Sequence, residues 1–226
     1  MNANNSLSRY ELTATLGSAF GYGWRVMSKY FLELFLVSII LIAVSSPIWL
    51  TNALDNYHNP AVIMLKIFAI AYGIFVVSAF DYGAKYVNLR AARDEKIEMR
   101  NVLAPFDMYL NVILSNLLVS AIVIAGMFLL IIPGIIFAVK LTFVPYLVID
   151  KGLDPVEAVK QSWDMTKGHG WTIFGMAVLS IFIYIAGFLV LILGVFISGM
   201  WVSASFASLY HAVDRGEFGD KVVEVL

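Results

Sequence analysis

The 226-residue chain contains no cysteine, so neither a disulfide scaffold nor a cysteine-ligated metal centre is open to it. Charge is scarce as well: 14% of residues are Asp, Glu, Lys or Arg, against about 25% in an average soluble domain. Neither sign dominates, since 15 basic and 16 acidic residues leave a net charge of −1 and no basic field for nucleic acid. The standard signatures of chemistry are missing too: there is no P-loop, no GxSxG elbow, no dinucleotide glycine pattern and no HExxH pair. The three histidines, His58, His169 and His211, fall in separate connectors and ends, so no metal, cofactor or catalytic group is expected. What the chain has in excess is apolar surface, with 61% hydrophobic residues and a mean hydropathy of +0.84. A soluble fold of this size has too little interior to hide it. The composition is that of an integral membrane protein.

A bilayer core of about 30 Å is crossed by roughly 20 apolar helical residues. Six runs of that kind are predicted, at about 31–50, 61–84, 108–131, 134–150, 171–191 and 194–213. Pro133-Gly134 and Gly194 are the expected turns inside the two longest apolar stretches. Thirteen of the fifteen basic residues lie on one side of these spans. They are Arg9, Arg25 and Lys29; Lys85, Arg90, Arg93, Lys96 and Arg100; Lys151, Lys160 and Lys167; and Arg215 and Lys221. The positive-inside rule then places both termini in the cytoplasm and Thr51–Pro60 outside, in a multi-pass inner-membrane protein. The first apolar run begins at residue 31 and has full span length, so a cleaved signal peptide is not expected.

Each pair of spans is preceded by a short amphipathic stretch, at about 9–29, 95–107 and 154–167. In the first, Leu12, Leu16 and Phe20 share a face behind a Ser8-x-x-Glu11 capping box. In the second, Met99, Val102, Leu103 and Phe106 follow helical spacing. In the third, Asp154-Pro155-x-Glu157 opens a helix whose apolar face is read as Val156, Val159 and Trp163. Phe106-Asp107-Met108 and Trp163-Asp164-Met165 are near copies just ahead of a span. The expected fold is therefore all-α, a single transmembrane domain over 1–226, with six helices as three hairpins behind interfacial helices.

A longer signature runs through Ile132-Pro133-Gly134-Ile135-Ile136, Val144-Pro145-Tyr146-Leu147-Val148-Ile149-Asp150 and Glu157-Ala158-Val159-Lys160-Gln161-Ser162-Trp163, then Lys167-Gly168 and Trp171. It resembles six-helix bacterial and archaeal membrane proteins, including the glycerophosphoryl diester phosphodiesterase membrane-domain family. Those proteins share a Pro-Gly turn, an acid-bearing inner loop and an Ala-x-x-x-Ser helix before a Gly-Trp entry into the next span. The resemblance implies a membrane module without the enzyme, because the catalytic barrel of such proteins is a separate domain.

The candidate residues are few. Lys66 and Lys140 each lie six residues past an expected outer turn, so they are candidate contacts for an anionic lipid or substrate. Asn111, Ser115, Asn116 and Ser120 line the third span as a candidate polar path. Asp81 and Lys85, spaced i, i+4 near the inner interface, read as a structural ion pair. Gly199, Ser203 and Ala207, and Gly17-x-x-x-Gly21, read as close-packing stripes. Pro145 is expected to kink the fourth span or free a carbonyl there. The function expected is that of a non-enzymatic scaffold or lipid- or protein-organising module, with membrane lipids and a membrane protein as partners. The alternative is a small permease or lipid-handling transporter.

Overall fold

The computed structural model describes residues 12–52 and 59–223, and among these no strand occurs. Arg9, the Ser8-x-x-Glu11 capping box and His58 lie outside the described residues. The helices are α1 (Leu16–Lys29), α2 (Phe31–Asn52), α3 (Pro60–Tyr72), α4 (Ser78–Ala92), α5 (Tyr109–Leu129), α6 (Ile131–Lys140), α7 (Val144–Lys151), α8 (Pro155–Met165), α9 (Gly170–Leu189) and α10 (Leu191–Val223). Among the described residues, five helical stretches are long and apolar enough to cross a membrane: Phe31–Thr51, Pro60–Ala92, Met99–Leu129, Ile131–Lys151 and Gly170–Leu189. They expose apolar side chains that water would not tolerate, Phe128 at 93% and Leu129 at 76% among them.

α3 and α4 are one continuous helix, widened at Gly73–Val77 into a π turn. The wider turn disturbs the regular ladder, and the Phe75 carbonyl accepts from the Tyr109 hydroxyl at 2.7 Å. The fourth apolar stretch is broken instead. α6 stops at Lys140, and α7 starts at Val144 with Pro145 inside its first turn, where a missing N–H does no harm. α8 repairs that break. Its Ser162 hydroxyl donates to the Lys140 carbonyl at 2.7 Å and accepts from the Phe143 N–H at 3.3 Å. Ala158 and Ser162, both fully buried, make the contact face, which explains the Ala-x-x-x-Ser spacing.

The turns between apolar helices differ from the sequence reading. α5 gives way to α6 at Leu130 and α9 to α10 at Val190, four residues before Gly134 and Gly194 respectively. Pro133 sits in the first turn of α6, a position that tolerates it. The glycines serve close approach instead of the turn. A Cβ on Gly134 would lie 2.9 Å from the Met127 backbone, and one on Gly194 would lie 2.1 Å from the Gly187 carbonyl oxygen.

The connectors also differ in detail. α1 begins only at Leu16, behind Thr15 as N-cap. Its apolar face packs on α10, where Gly23 meets Ser205 and the Trp201 indole donates to the Phe20 carbonyl at 2.9 Å. The stretch after α4 is a 3-10 helix, Met99–Met108, capped by a Glu98–Asn101 box. Its buried pair is Val102 and Pro105, three residues apart as a three-residue turn demands, while Met99, Leu103 and Phe106 are exposed. α8 starts as expected, with the Asp154 carboxylate accepting from the N–H groups of Val156 and Glu157. Its buried face is Ala158, Ser162 and Met165; Val156 is exposed, and Val159 and Trp163 only flank the core.

The fully buried side chains concentrate in α1, the later part of α4, α7 and residues 200–213 of α10. This end of the molecule is the core. Gly83 lies in it, and a Cβ there would meet the Val102 carbonyl oxygen at 2.0 Å. Gly83→Ala is expected to destabilise the purified protein by the overpacking cost of about 1–3 kcal/mol. Gly21→Ala, with nothing within 4 Å, should leave the thermal midpoint unchanged or raise it, because Ala is the better helix former. Equal losses in a thermal melt would contradict the close α4 contact.

Candidate functional site

Two groups of charges sit toward one end of α4, α7 and α10. The first closes the core. Arg93, the residue after α4, grips the Asp150 carboxylate of α7 with both terminal nitrogens, Nη2 to Oδ2 at 2.7 Å, and reaches Asp214 of α10 at 3.3 Å. Lys151 pairs with the same Asp214 at 2.7 Å, and the Tyr210 hydroxyl donates to Asp150 at 3.0 Å. Burial works against the Arg93 cation, but Asp150 more than offsets it, so the guanidinium is held above its ordinary pKa. Beside it, Asp94 takes a left-handed φ of 59° and accepts from Tyr30 at 2.6 Å while pairing with Lys29. Burial and the Asp94 hydrogen bond push the Tyr30 phenol up, so it stays protonated as the donor. Every charge here has a structural partner.

The second group lies in a cleft. On α4, seven residues before its end, Lys85 pairs with Asp81 one turn earlier and stands 5.6 Å from the Tyr82 ring centroid. Unlike the Arg93 group, these side chains remain accessible, Asp81 at 49% and Lys85 at 32%. They open into a cavity of about 190 Å³ between α2, α4, α10 and the α6–α7 break. Leu34, Val37, Leu41, Met200 and Phe206 make its apolar wall. Ser38, Asn88, Thr142, Tyr146 and Ser203 add polar groups. Thr142 is presented by the helix break itself. The Asn88 amide nitrogen donates to the Ala84 carbonyl at 2.8 Å, which leaves its buried Oδ1 without a partner. By 1.5 Å per residue, the charges lie on the order of 10 Å inside the plane of the Arg93 cluster. A neutral ion pair, hydroxyls and an apolar wall at that depth can hold a small amphiphilic group.

The residues singled out by sequence fall elsewhere. Lys66 borders a shallow pocket with Ile48, Thr51 and Ile70. Lys140 ends α6 ten residues after the turn at Leu130, with its ammonium 5.7 Å from the Trp163 ring centroid. The shifted turn moves it toward the α8 side, and the structure does not bring the two lysines together. Asn111, Ser115, Asn116 and Ser120 do not line the cleft. Ser115 is fully buried with an unpartnered hydroxyl, and Ser120 is exposed. His211 is buried on α10, and His169 precedes α9. Asp81 and Lys85 pair as expected, but around a cavity, and Ser203 of the small-residue stripe faces that cavity. Asn88 and Thr142 were missed, because one polar residue per helical face gives no periodic signal.

A model of a domain of unknown function (DUF7847) matches residues 62–215, more than half of the chain. The chain belongs to that family. No curated protein and no solved structure matches it.

The two groups should respond differently to neutralisation. Asp81→Asn in the accessible pair is expected to change stability by no more than about 1 kcal/mol. Asp94→Asn keeps the backbone tolerance for a positive φ but weakens two charge-assisted bonds, at a cost of roughly 2–3 kcal/mol. Thermal denaturation in one detergent checks both, and a larger loss for Asp81→Asn would contradict the assignment of roles.

Proposed function

We propose that the chain is a non-enzymatic, six-span membrane module that handles lipid, holding an amphiphile in the Asp81–Lys85 cleft. In this reading α10 supplies the sixth span, and the spans form three pairs behind the connectors α1, the 3-10 helix Met99–Met108 and α8. The basic residues of those connectors face the cytoplasm of a cell with this chain in its inner membrane. One observation carries the reading. An accessible ion pair stands inside a helix long and apolar enough to cross a membrane, in a cavity with a hydrocarbon-like wall. Charges at membrane depth are costly and mark sites of binding. Among the described residues the cleft lacks an activated nucleophile, and the one carboxylate lining it is paired with Lys85, which supports binding over catalysis.

Transport of the bound amphiphile draws on a separate observation, the break at residues 141–143 bordering the cleft. Interrupted helices border the substrate sites of many transporters. Purely structural scaffolding draws on the solid core around Arg93.

Cysteine probes test the proposal, since the native chain has none. Ser203→Cys should react with a small maleimide in lipid-depleted detergent and be shielded when mixed phospholipid is added back. In intact cells Asn59→Cys should label with an impermeant maleimide, and Lys96→Cys only after permeabilisation. A labelling rate at position 203 that ignores lipid would overturn lipid binding in the cleft, and reversed labelling at 59 and 96 would overturn the orientation.

A further inference from the structure

The balance of groups in the cleft narrows what it can hold. Asp81 and Lys85 neutralise one another, so a purely anionic guest would face the carboxylate and a purely cationic one the ammonium. A zwitterion meets neither objection. Its cation can take Asp81 while its anion takes Lys85, and the exchange leaves no charge uncompensated.

The hydrogen bonds specify the cation further. A hydroxyl has one proton to give. Ser38 gives its own to the Leu34 carbonyl at 2.9 Å, and Thr142 gives its own to the Ala138 carbonyl at 2.9 Å. Both oxygens are therefore left with lone pairs only. Asn88 gives one of its two amide hydrogens to the Ala84 carbonyl and keeps an unpartnered Oδ1 beside the cleft. Lys85 takes Asp81 Oδ2, which leaves Oδ1 of that carboxylate. These four acceptors want N–H donors. A primary ammonium brings three, and a quaternary ammonium brings none.

We propose that the cleft selects a zwitterionic head whose cation is a primary ammonium, of the phosphoethanolamine kind, carried on an apolar tail. The inference rests on the reading of this cleft as a lipid site and names its ligand class. The apolar wall of Leu34, Val37, Leu41, Met200 and Phe206 receives the start of the tail. The head is then drawn inward from the membrane surface and not left level with its neighbours.

The test uses the full chain in nanodiscs, with the maleimide rate at Ser203→Cys as readout. Phosphatidylethanolamine should slow labelling, and phosphatidylcholine of the same chains should not. Adding Asp81→Asn should weaken that protection roughly tenfold, about the worth of one charge-assisted hydrogen bond, with Asn88→Ala acting in the same direction. If Asn88→Ala fails to fold, as judged by gel filtration, Asp81→Asn carries the test alone. Dissolved phosphoethanolamine in a phosphatidylcholine disc distinguishes the source. Protection by it makes a free zwitterion sufficient, and its failure beside protection by the lipid assigns the site to the headgroup; both support the ammonium assignment. Equal protection by the two lipids overturns the primary-ammonium selectivity while leaving a lipid site, and protection by neither overturns the site itself. Protection that survives Asp81→Asn undiminished also overturns the assignment.

Discussion

One guanidinium holds three helices together at the buried core. Arg93 follows α4, yet its two strongest partners stand on α7 and α10, at Asp150 and Asp214. An arginine in this position must be satisfied, because taking a charge out of water costs several kcal/mol that only well-placed opposite charges repay. The bidentate contact to Asp150 does so with the planar fork that lysine lacks. Lys151 balances the second carboxylate, and Tyr210 fills a remaining lone pair of the first. Three helices are thereby fixed in register.

The rest of the architecture follows from that closure. With α4, α7 and α10 pinned at one end, the buried core forms around them, and α1 and α8 dock on it through a backbone contact at Gly23 and a hydroxyl at Ser162. The same pinning keeps the α6–α7 break where α8 can satisfy it. The break in turn turns Thr142 toward α2 and α4, so the cleft is a product of an interrupted helix held beside a continuous one. The helix pairs far from Arg93 are held differently, by glycines at Gly126 and Gly134 and at Gly187 and Gly194 that let their backbones touch. Small residues are what helices use to associate where no water is present to drive them together.

Much of this was legible in the chain. Apolar run length gave the long helices, and the cap at Asp154 marks a helix start that the structure keeps. The turn positions were not, because Pro133-Gly134 satisfies the usual turn rule while serving as a helix start and a packing notch. That shift of four residues puts Lys140 about one helical turn farther from the turn than the sequence spacing suggests. The face of α8 was misread for a different reason: Ser162 is buried by a hydrogen-bonding demand from residues 140 and 143, which hydrophobic periodicity cannot register. The Arg93 cluster joins residues 57 and 121 positions apart, and no local pattern announces such a contact. The likeness to the phosphodiesterase-linked membrane domain remains a resemblance in motif, whereas membership of the unknown-function family rests on residues 62–215.

Arg93 and Asp150 act as one unit on which the buried core closes. A double-mutant cycle on the purified protein measures this directly, with Arg93→Met, Asp150→Leu and the pair compared by denaturation. Each single change should cost about 1.5–3 kcal/mol, since it removes charge-assisted hydrogen bonds while Asp214 still faces Arg93 and Tyr210 still faces Asp150. The double variant should cost far less than their sum, with a coupling energy at the upper end of the 0.5–3 kcal/mol range. Additive losses, with no coupling beyond about 0.5 kcal/mol, would contradict the account.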